Sequence, residues 1–366
     1  MTATPDPTTR DPIARHRRLL GQLALVATVM TLVVVVLGAW TRLTHSGLGC
    51  PDWPGCYGFL SVPQSEAHIA IAQLRFPEAP VDVSKGWPEM IHRYAAGVLS
   101  VLVFAIAALA VRWRREGHPL RLPLLIAGFI VLQAAFGMWT VTLKLWPQVV
   151  ALHLLGGFTL LSLLTLLTLR LRGTITRAGA ALAERLGHFR PWLRAALVLV
   201  VLQIALGAWT ASNYAAVACT DLPTCQGEWW PTMDFRHGFD VTQAVGPNYL
   251  GGQLTAEGRV AIHVTHRIGA LLVMVVLGAL LCRMWRPARD AGIGRWVLLC
   301  GGVLMAQIAL GLANVWLHIP VSLAMAHNAM GAGLLLSVIN LLWRLQPFPV
   351  RRPLPKPRLI NHEVPA

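Results

Sequence analysis

The chain has 366 residues, 55% of them hydrophobic and only 13% charged, whereas soluble domains carry about a quarter of charged residues. That composition excludes an ordinary soluble globular protein. The formal net charge of +15 would suit nucleic acid, but the basic residues gather at alternate connections between apolar runs, so no nucleic-acid partner is expected.

Eight apolar runs are long enough to cross a bilayer core, which takes about 20 residues in a helix. The tail 1–18 carries Arg10, Arg15, Arg17 and Arg18 and leads into Leu19–Thr41. This first run is too long for a signal-peptide core and no small-residue cleavage site follows it, so it is expected to stay as a span. A long loop, about 42–87, holds Cys50 and Cys56. The second run, Pro88–Val111, carries Glu89, His92 and Arg93. Arg112, Arg114, Arg115 and Arg121 connect it to Leu122–Leu143, and Gln148–Leu169 follows with His153. A basic linker, 172–192, precedes Leu193–Ser212. The second long loop, 213–258, holds Cys219 and Cys225. Val260–Cys282 carries His263, His266 and Arg267, and Arg283, Arg286, Arg289 and Arg295 lead to Trp296–Leu317. Last comes Val321–Trp343 with His327, then a tail, 344–366, with Arg344, Arg351, Arg352, Lys356 and Arg358.

With no water in hydrocarbon to satisfy backbone amides, and no barrel-like alternation, these runs are expected to be helices. The expected fold is all-α: a polytopic protein embedded in membrane lipid. Because lysine and arginine mark cytoplasmic loops, both termini are expected in the cytoplasm and both long loops on the outer side.

The sequence also repeats itself. Leu37-Gly38-Ala39-Trp40-Thr41 returns as Leu206-Gly207-Ala208-Trp209-Thr210, and a C-x-D-x-P-x-C segment at Cys50–Cys56 returns at Cys219–Cys225. His92-Arg93, Gln133-x-x-x-Gly137 and His153 return as His266-Arg267, Gln307-x-x-x-Gly311 and His327, each 174 positions later. Four spans per half is an even number, so the halves enter the membrane in one orientation. Two four-helix bundles, 19–171 and 193–343, related by a pseudo-twofold axis along the membrane normal, are expected.

Intramembrane histidines are costly and usually face a bundle interior where they bind something. A helix-to-helix hydrogen bond is the plainer reading, but four histidines at duplicated positions and equal depth weigh against it. Zinc takes three or four ligands, and each half offers two histidines with only Glu89 beside one pair. Heme iron takes two axial ligands, and facing histidines in a four-helix bundle suit it. Gly97, Gly137, Gly156 and Gly157 in one half, and Gly269, Gly311, Gly331 and Gly333 in the other, leave room for a macrocycle or else allow close helix packing. Two heme sites near the outer leaflet are therefore expected. Hemes confined to one leaflet do not form a chain across the bilayer, which weighs against a bis-histidine electron-transfer protein as the alternative reading.

Arg93, Arg267 and Arg42 are candidates for pairing with heme propionates, or plain interface anchors. Glu89 sits three residues before His92, on the same helix face, where the second half has His263. A carboxylate beside one pocket only is a candidate proton acceptor or cation stabiliser, with a helix-start residue as the alternative. Cys50 with Cys56, and Cys219 with Cys225, suit small disulfide-closed loops in an oxidising compartment.

The run Gly38-Ala39-Trp40-Thr41-Arg42-Leu43-Thr44, with Ser46-Gly47-Leu48 and Cys50-Pro51-Asp52-Trp53-Pro54, the Glu89-x-x-His92-Arg93 segment and the set His153, His266-Arg267 and His327 resemble the heme A synthase family, roughly over residues 19–343. The resemblance implies an oxidoreductase that converts a ring methyl of heme O to the formyl group of heme A by successive hydroxylations with water-derived oxygen, for terminal oxidase assembly. It implies that His92 and His153 hold the substrate heme, that Glu89 is the catalytic carboxylate, and that His266 and His327 ligate a heme b cofactor. Heme O synthase and an electron acceptor are the implied partners, with a homo-oligomer left open.

Overall fold

The computed structural model describes residues 12–172 and 185–346. Expectations for 1–11, 173–184 and 347–366, including Arg10, Arg177, Arg351, Arg352, Lys356 and Arg358, lie outside the described residues.

Backbone amides in hydrocarbon have to be satisfied within their own segment, and among the described residues the chain does this with helices. In order these are α1 (Pro12–Leu43), α2 (Glu66–Arg75), α3 (Val83–Arg112), α4 (Arg121–Thr142), α5 (Pro147–Arg172), α6 (Arg190–Ser212), α7 (Phe235–Gly238), α8 (Ala256–Asp290), α9 (Gly294–Trp316) and α10 (Val321–Arg344). All but α2 and α7, which lie in the long loops, belong to the eight segments long and apolar enough to span a membrane. Extended pairing among the described residues is limited to the isolated bridges Cys56–Phe59 and Cys225–Glu228.

Several helices begin outside the apolar runs, because caps rather than hydropathy decide where a helix starts. α3 begins at Val83, where the Asp82 carboxylate accepts from the amides of Ser84 and Lys85 at 3.0 and 3.2 Å. α8 begins at Ala256, where the Thr255 hydroxyl accepts from the Gly258 amide at 3.2 Å. At the other end, α1 starts at Pro12, seven residues before the apolar run. Its Arg17 donates to the carbonyls of Leu171 and Arg170 at 3.0 and 3.1 Å, satisfying the last turn of α5.

Within the first half α1 packs on α3 and α5, and α4 packs on the same two helices. The second half repeats the ring: α6 packs on α8 and α10, and α9 packs on both. The seam is made by α1 on α10, α5 on α6, and α5 on α10, a pattern that maps onto itself when the halves are exchanged. One buried core fills the first ring around Leu20, Leu99, Ile106, Ile126 and Leu164; a larger one fills the second and takes in Phe158 and Leu161 of α5. Large apolar side chains on the outer faces, such as Val98, Val101, Val198 and Leu271, are exposed, as suits helices solvated by lipid.

The loops break the symmetry. Residues of the second long loop bond the α4–α5 turn of the first half: the Tyr249 amide to the Lys144 carbonyl (3.0 Å), the Trp146 indole to the Gln243 carbonyl (2.9 Å) and the Gln148 amide to the Val241 carbonyl (3.0 Å).

Candidate functional site

His92 on α3 and His153 on α5 project from facing helices, with ring centroids 6.4 Å apart and planes at 87°. His266 on α8 and His327 on α10 are their counterparts. Each imidazole lies against a glycine of a neighbouring helix. A Cβ built on Gly38 of α1 would stand 3.0 Å from Cε1 of His92, and one on Gly137 of α4 would stand 3.3 Å from Cε1 of His153. On Gly207 of α6 and Gly311 of α9 the distances to His266 and His327 are both 3.2 Å. Bare backbone is what lets the rings settle there, and the device occurs four times.

Of the glycines expected to leave room beside the histidines, Gly137 and Gly311 touch them. Gly156, Gly269 and Gly331 instead face the side chains of Gln133, Gln203 and Gln307; Gly157 and Gly333 meet Val35 and Val303; Gly97 faces open space. Gly38 and Gly207 were missed, although both stand in the repeated Leu-Gly-Ala-Trp-Thr segment, and the repeat itself was the signal.

The buried Nδ1 atoms of His92, His153 and His327 have no hydrogen-bond partner, and neither has that of His263. His266 differs. The Gln203 amide lies 3.1 Å from its Nδ1 and donates to its carbonyl at 2.9 Å, while Gln307 lies 3.3 Å from Nε2 of His327. Val34 stands at the first-half position corresponding to Gln203, so the Gln203 brace exists on one side only, whereas Gln307 has its counterpart in Gln133.

Glu89 is buried at 4% exposure. One carboxylate oxygen accepts from the Cys50 amide at 2.9 Å, and the other accepts from the Arg93 guanidinium one turn along α3. Arg93 also donates to the carbonyls of Asp52 (2.9 Å) and Gly55 in the disulfide loop. Arg267 repeats that clamp on the carbonyls of Thr224 (2.9 Å) and Cys219 (3.1 Å), with His263 where the carboxylate would be. The two arginines thus grip the loops of their own halves. Arg42 crosses the seam instead, donating to the Ala211 carbonyl with its guanidinium 3.7 Å from the Tyr214 ring centroid.

Both cysteine pairs are disulfides, Cys50–Cys56 and Cys219–Cys225, while Cys282 and Cys300 are free. Each loop is further tied by its aspartate. Asp52 accepts from the amides of Tyr57 and Gly58, and Asp221 from those of Gln226 and Gly227. The Thr224 hydroxyl and then the Gly227 amide hold the Asp221 carboxyl down to about 2. At the seam, partial burial first, and Arg42 and Lys85 next, hold the His45 imidazole below its usual value. Among the described residues no group of three or more His, Cys, Asp or Glu side chains forms a metal cage.

Fold and site together define an integral membrane protein of two repeated helical units, each presenting a histidine pair inside its bundle. A family model described as Cytochrome oxidase assembly protein matches residues 21–339. Heme A synthase of Shewanella oneidensis is 42% identical over 322 residues, covering 88% of this chain and 95% of that protein. Heme A synthase of Caulobacter sp. (strain K31) is 31% identical over 90% of the chain and 95% of its own length, and that of Halalkalibacterium halodurans is 24% identical over 86% and 91%. The chain belongs to the heme A synthase family of cytochrome oxidase assembly proteins.

Proposed function

We propose that this chain is a heme A synthase, an oxidoreductase that converts a ring methyl of heme O to the formyl group of heme A. The first half takes the substrate between His92 and His153, and the second holds heme b between His266 and His327. The observation that carries this reading is the histidine geometry. His92 and His153 come within 6.4 Å of each other by ring centroid on facing helices, and these two residues would hold a heme iron between them. Buried imidazole nitrogens without partners fit the same role. In the second half, Gln203 braces Nδ1 of His266, as suits a ligand held for a resident group.

Heme b, when bound, supplies a one-electron redox centre. The protein's own part in the chemistry falls to Glu89. Hydroxylating a methyl group with water removes two electrons and two protons; a second round gives a geminal diol, which loses water to the aldehyde. A carboxylate on the helix face of His92 stabilises developing positive charge and accepts protons. Arg93 and the Cys50 amide fix its position.

The arginine-rich connections support an inner-membrane orientation with both termini cytoplasmic and the disulfide loops periplasmic. The exchangeable packing of the halves supports a pseudo-twofold axis along the membrane normal, with the bundles at 19–171 and 193–343. Heme O synthase, an electron acceptor and a terminal oxidase awaiting its heme are the partners this activity requires.

The test is the heme content of membranes expressing heme O synthase with and without this chain, in water labelled with heavy oxygen. Heme A that appears only with the chain and carries label in its formyl group, measured before back-exchange, is the expected result. Heme A without label overturns the water-derived route, and no heme A overturns the activity.

A further inference from the structure

At the arginine-rich end of the bundle, a cavity of about 500 Å³ opens between α5 of the first half and α9 and α10 of the second. Arg295 is the second residue of α9 and Arg344 the last of α10. Val303 and Gly333, which also line the cavity, lie about 12–17 Å deeper along those helices at 1.5 Å per residue. The space therefore runs from the polar boundary into the depth of hydrocarbon, with Leu169 and Leu299 on its walls.

Its polar end is charged and, among the described residues, uncompensated. Arg344 is only 3% exposed and its Nε has no hydrogen-bond partner. Its guanidinium lies 3.7 Å from the ring centroid of Trp296, and that of Arg295 lies 5.3 Å from the same indole. Among the described residues no carboxylate lines the cavity. Two like charges beside one low-dielectric space repel unless an anion sits between them.

We propose that this cavity binds an anionic phospholipid from the leaflet on the arginine-rich side. Its phosphate accepts hydrogen bonds from Arg295 and Arg344, and an acyl chain lies along Leu169, Leu299 and Val303. Guanidiniums suit a phosphodiester because they offer paired donors, and basic pockets between membrane helices suit anionic headgroups. The duplication supplies an internal control. Arg121 and Arg170 stand 174 positions before Arg295 and Arg344, yet both are exposed, and Leu122 replaces Trp296. The lipid joins the halves on one side of the seam only.

The test uses the full chain in detergent, with native mass spectrometry after adding phosphatidylglycerol, phosphatidylcholine or inorganic phosphate. Phosphatidylglycerol should be retained selectively, and Arg295→Gln and Arg344→Gln should each weaken retention about fivefold. Arg170→Gln should leave retention unchanged, and Leu299→Trp, which fills the apolar wall with both arginines intact, should lower it. If Arg344→Gln does not fold, Arg295→Gln and Leu299→Trp carry the test. Equal retention of phosphatidylcholine, displacement of the lipid by millimolar phosphate, retention only in a dimer, or undiminished retention by the variants would each overturn the proposal.

Discussion

The two halves share a ring of four helices, a glycine behind each of the four paired histidines and an arginine gripping a disulfide loop, but beside the histidines they part at two positions. Glu89 in the first half corresponds to His263 in the second, and Gln203 in the second stands where the first has Val34. What is common to both halves is a buried histidine pair backed by bare glycine backbone, which the proposed function reads as a place for heme. Under the proposed function, what differs divides the work: a carboxylate where the substrate would be altered, and an amide brace where a cofactor would stay.

The largest expected effect comes from exchanging the first difference. Glu89→Gln should lower heme A formation by a factor of about 10²–10⁴, the usual contribution of a positioned acid or base, and heme O or a hydroxylated product should accumulate. His263→Gln should leave turnover near normal. Equal losses in the two variants would erase the functional asymmetry.

Next come the clamps. Arg93→Gln breaks a buried pair with Glu89 as well as the loop contacts, at an expected cost of about 3–5 kcal/mol. Arg267→Gln removes bonds to loop carbonyls alone, at about 1–3 kcal/mol. Thermal unfolding of the two variants side by side checks the order, and reversal of the order would show that the Glu89 pair adds nothing.

The glycines test what the halves share. Gly38→Ala and Gly207→Ala each push a methyl group to within 3.0–3.2 Å of an imidazole carbon and should cost about 1–3 kcal/mol. Gly278→Ala meets nothing within 4 Å and should gain slightly from helix propensity. Denaturation midpoints in detergent measure all three, and equal midpoints would mean that the rings do not need the bare backbone.

Least disruptive is opening a disulfide. Each closes a loop with a sequence separation of 6, for which chain entropy predicts about 2 kcal/mol. Cys50→Ser should also lower turnover, because the Cys50 amide bonds Glu89, whereas Cys219→Ser should leave turnover unchanged. Matched turnover in the two variants would separate the loop from the carboxylate.

Hydropathy located all eight spans, because hydrocarbon thickness is read directly as the length of an apolar run, but at Pro12, Val83 and Asp290 the helices run five to eight residues beyond those runs. Repetition then pointed to the histidines and the disulfide pairs. The clamps were not legible. Arg93 reaches Gly55 across an irregular loop, and no helical or strand period relates the two positions. Helix starts at Val83 and Ala256 were missed because Asp82 and Thr255 cap polar turns that an apolar scan passes over. The bonds from 241–249 to the α4–α5 turn have no repeated counterpart in the sequence that would have announced them.

The central claim is that the halves hold different hemes for different purposes. It is tested most directly by mass identification of the hemes extracted from purified His153→Ala and His327→Ala, each expressed with heme O synthase. His153→Ala should keep heme b and lose the farnesylated heme, and His327→Ala should lose heme b. The same heme lost from both variants, or a mixture unchanged from the parent protein, would contradict the assignment.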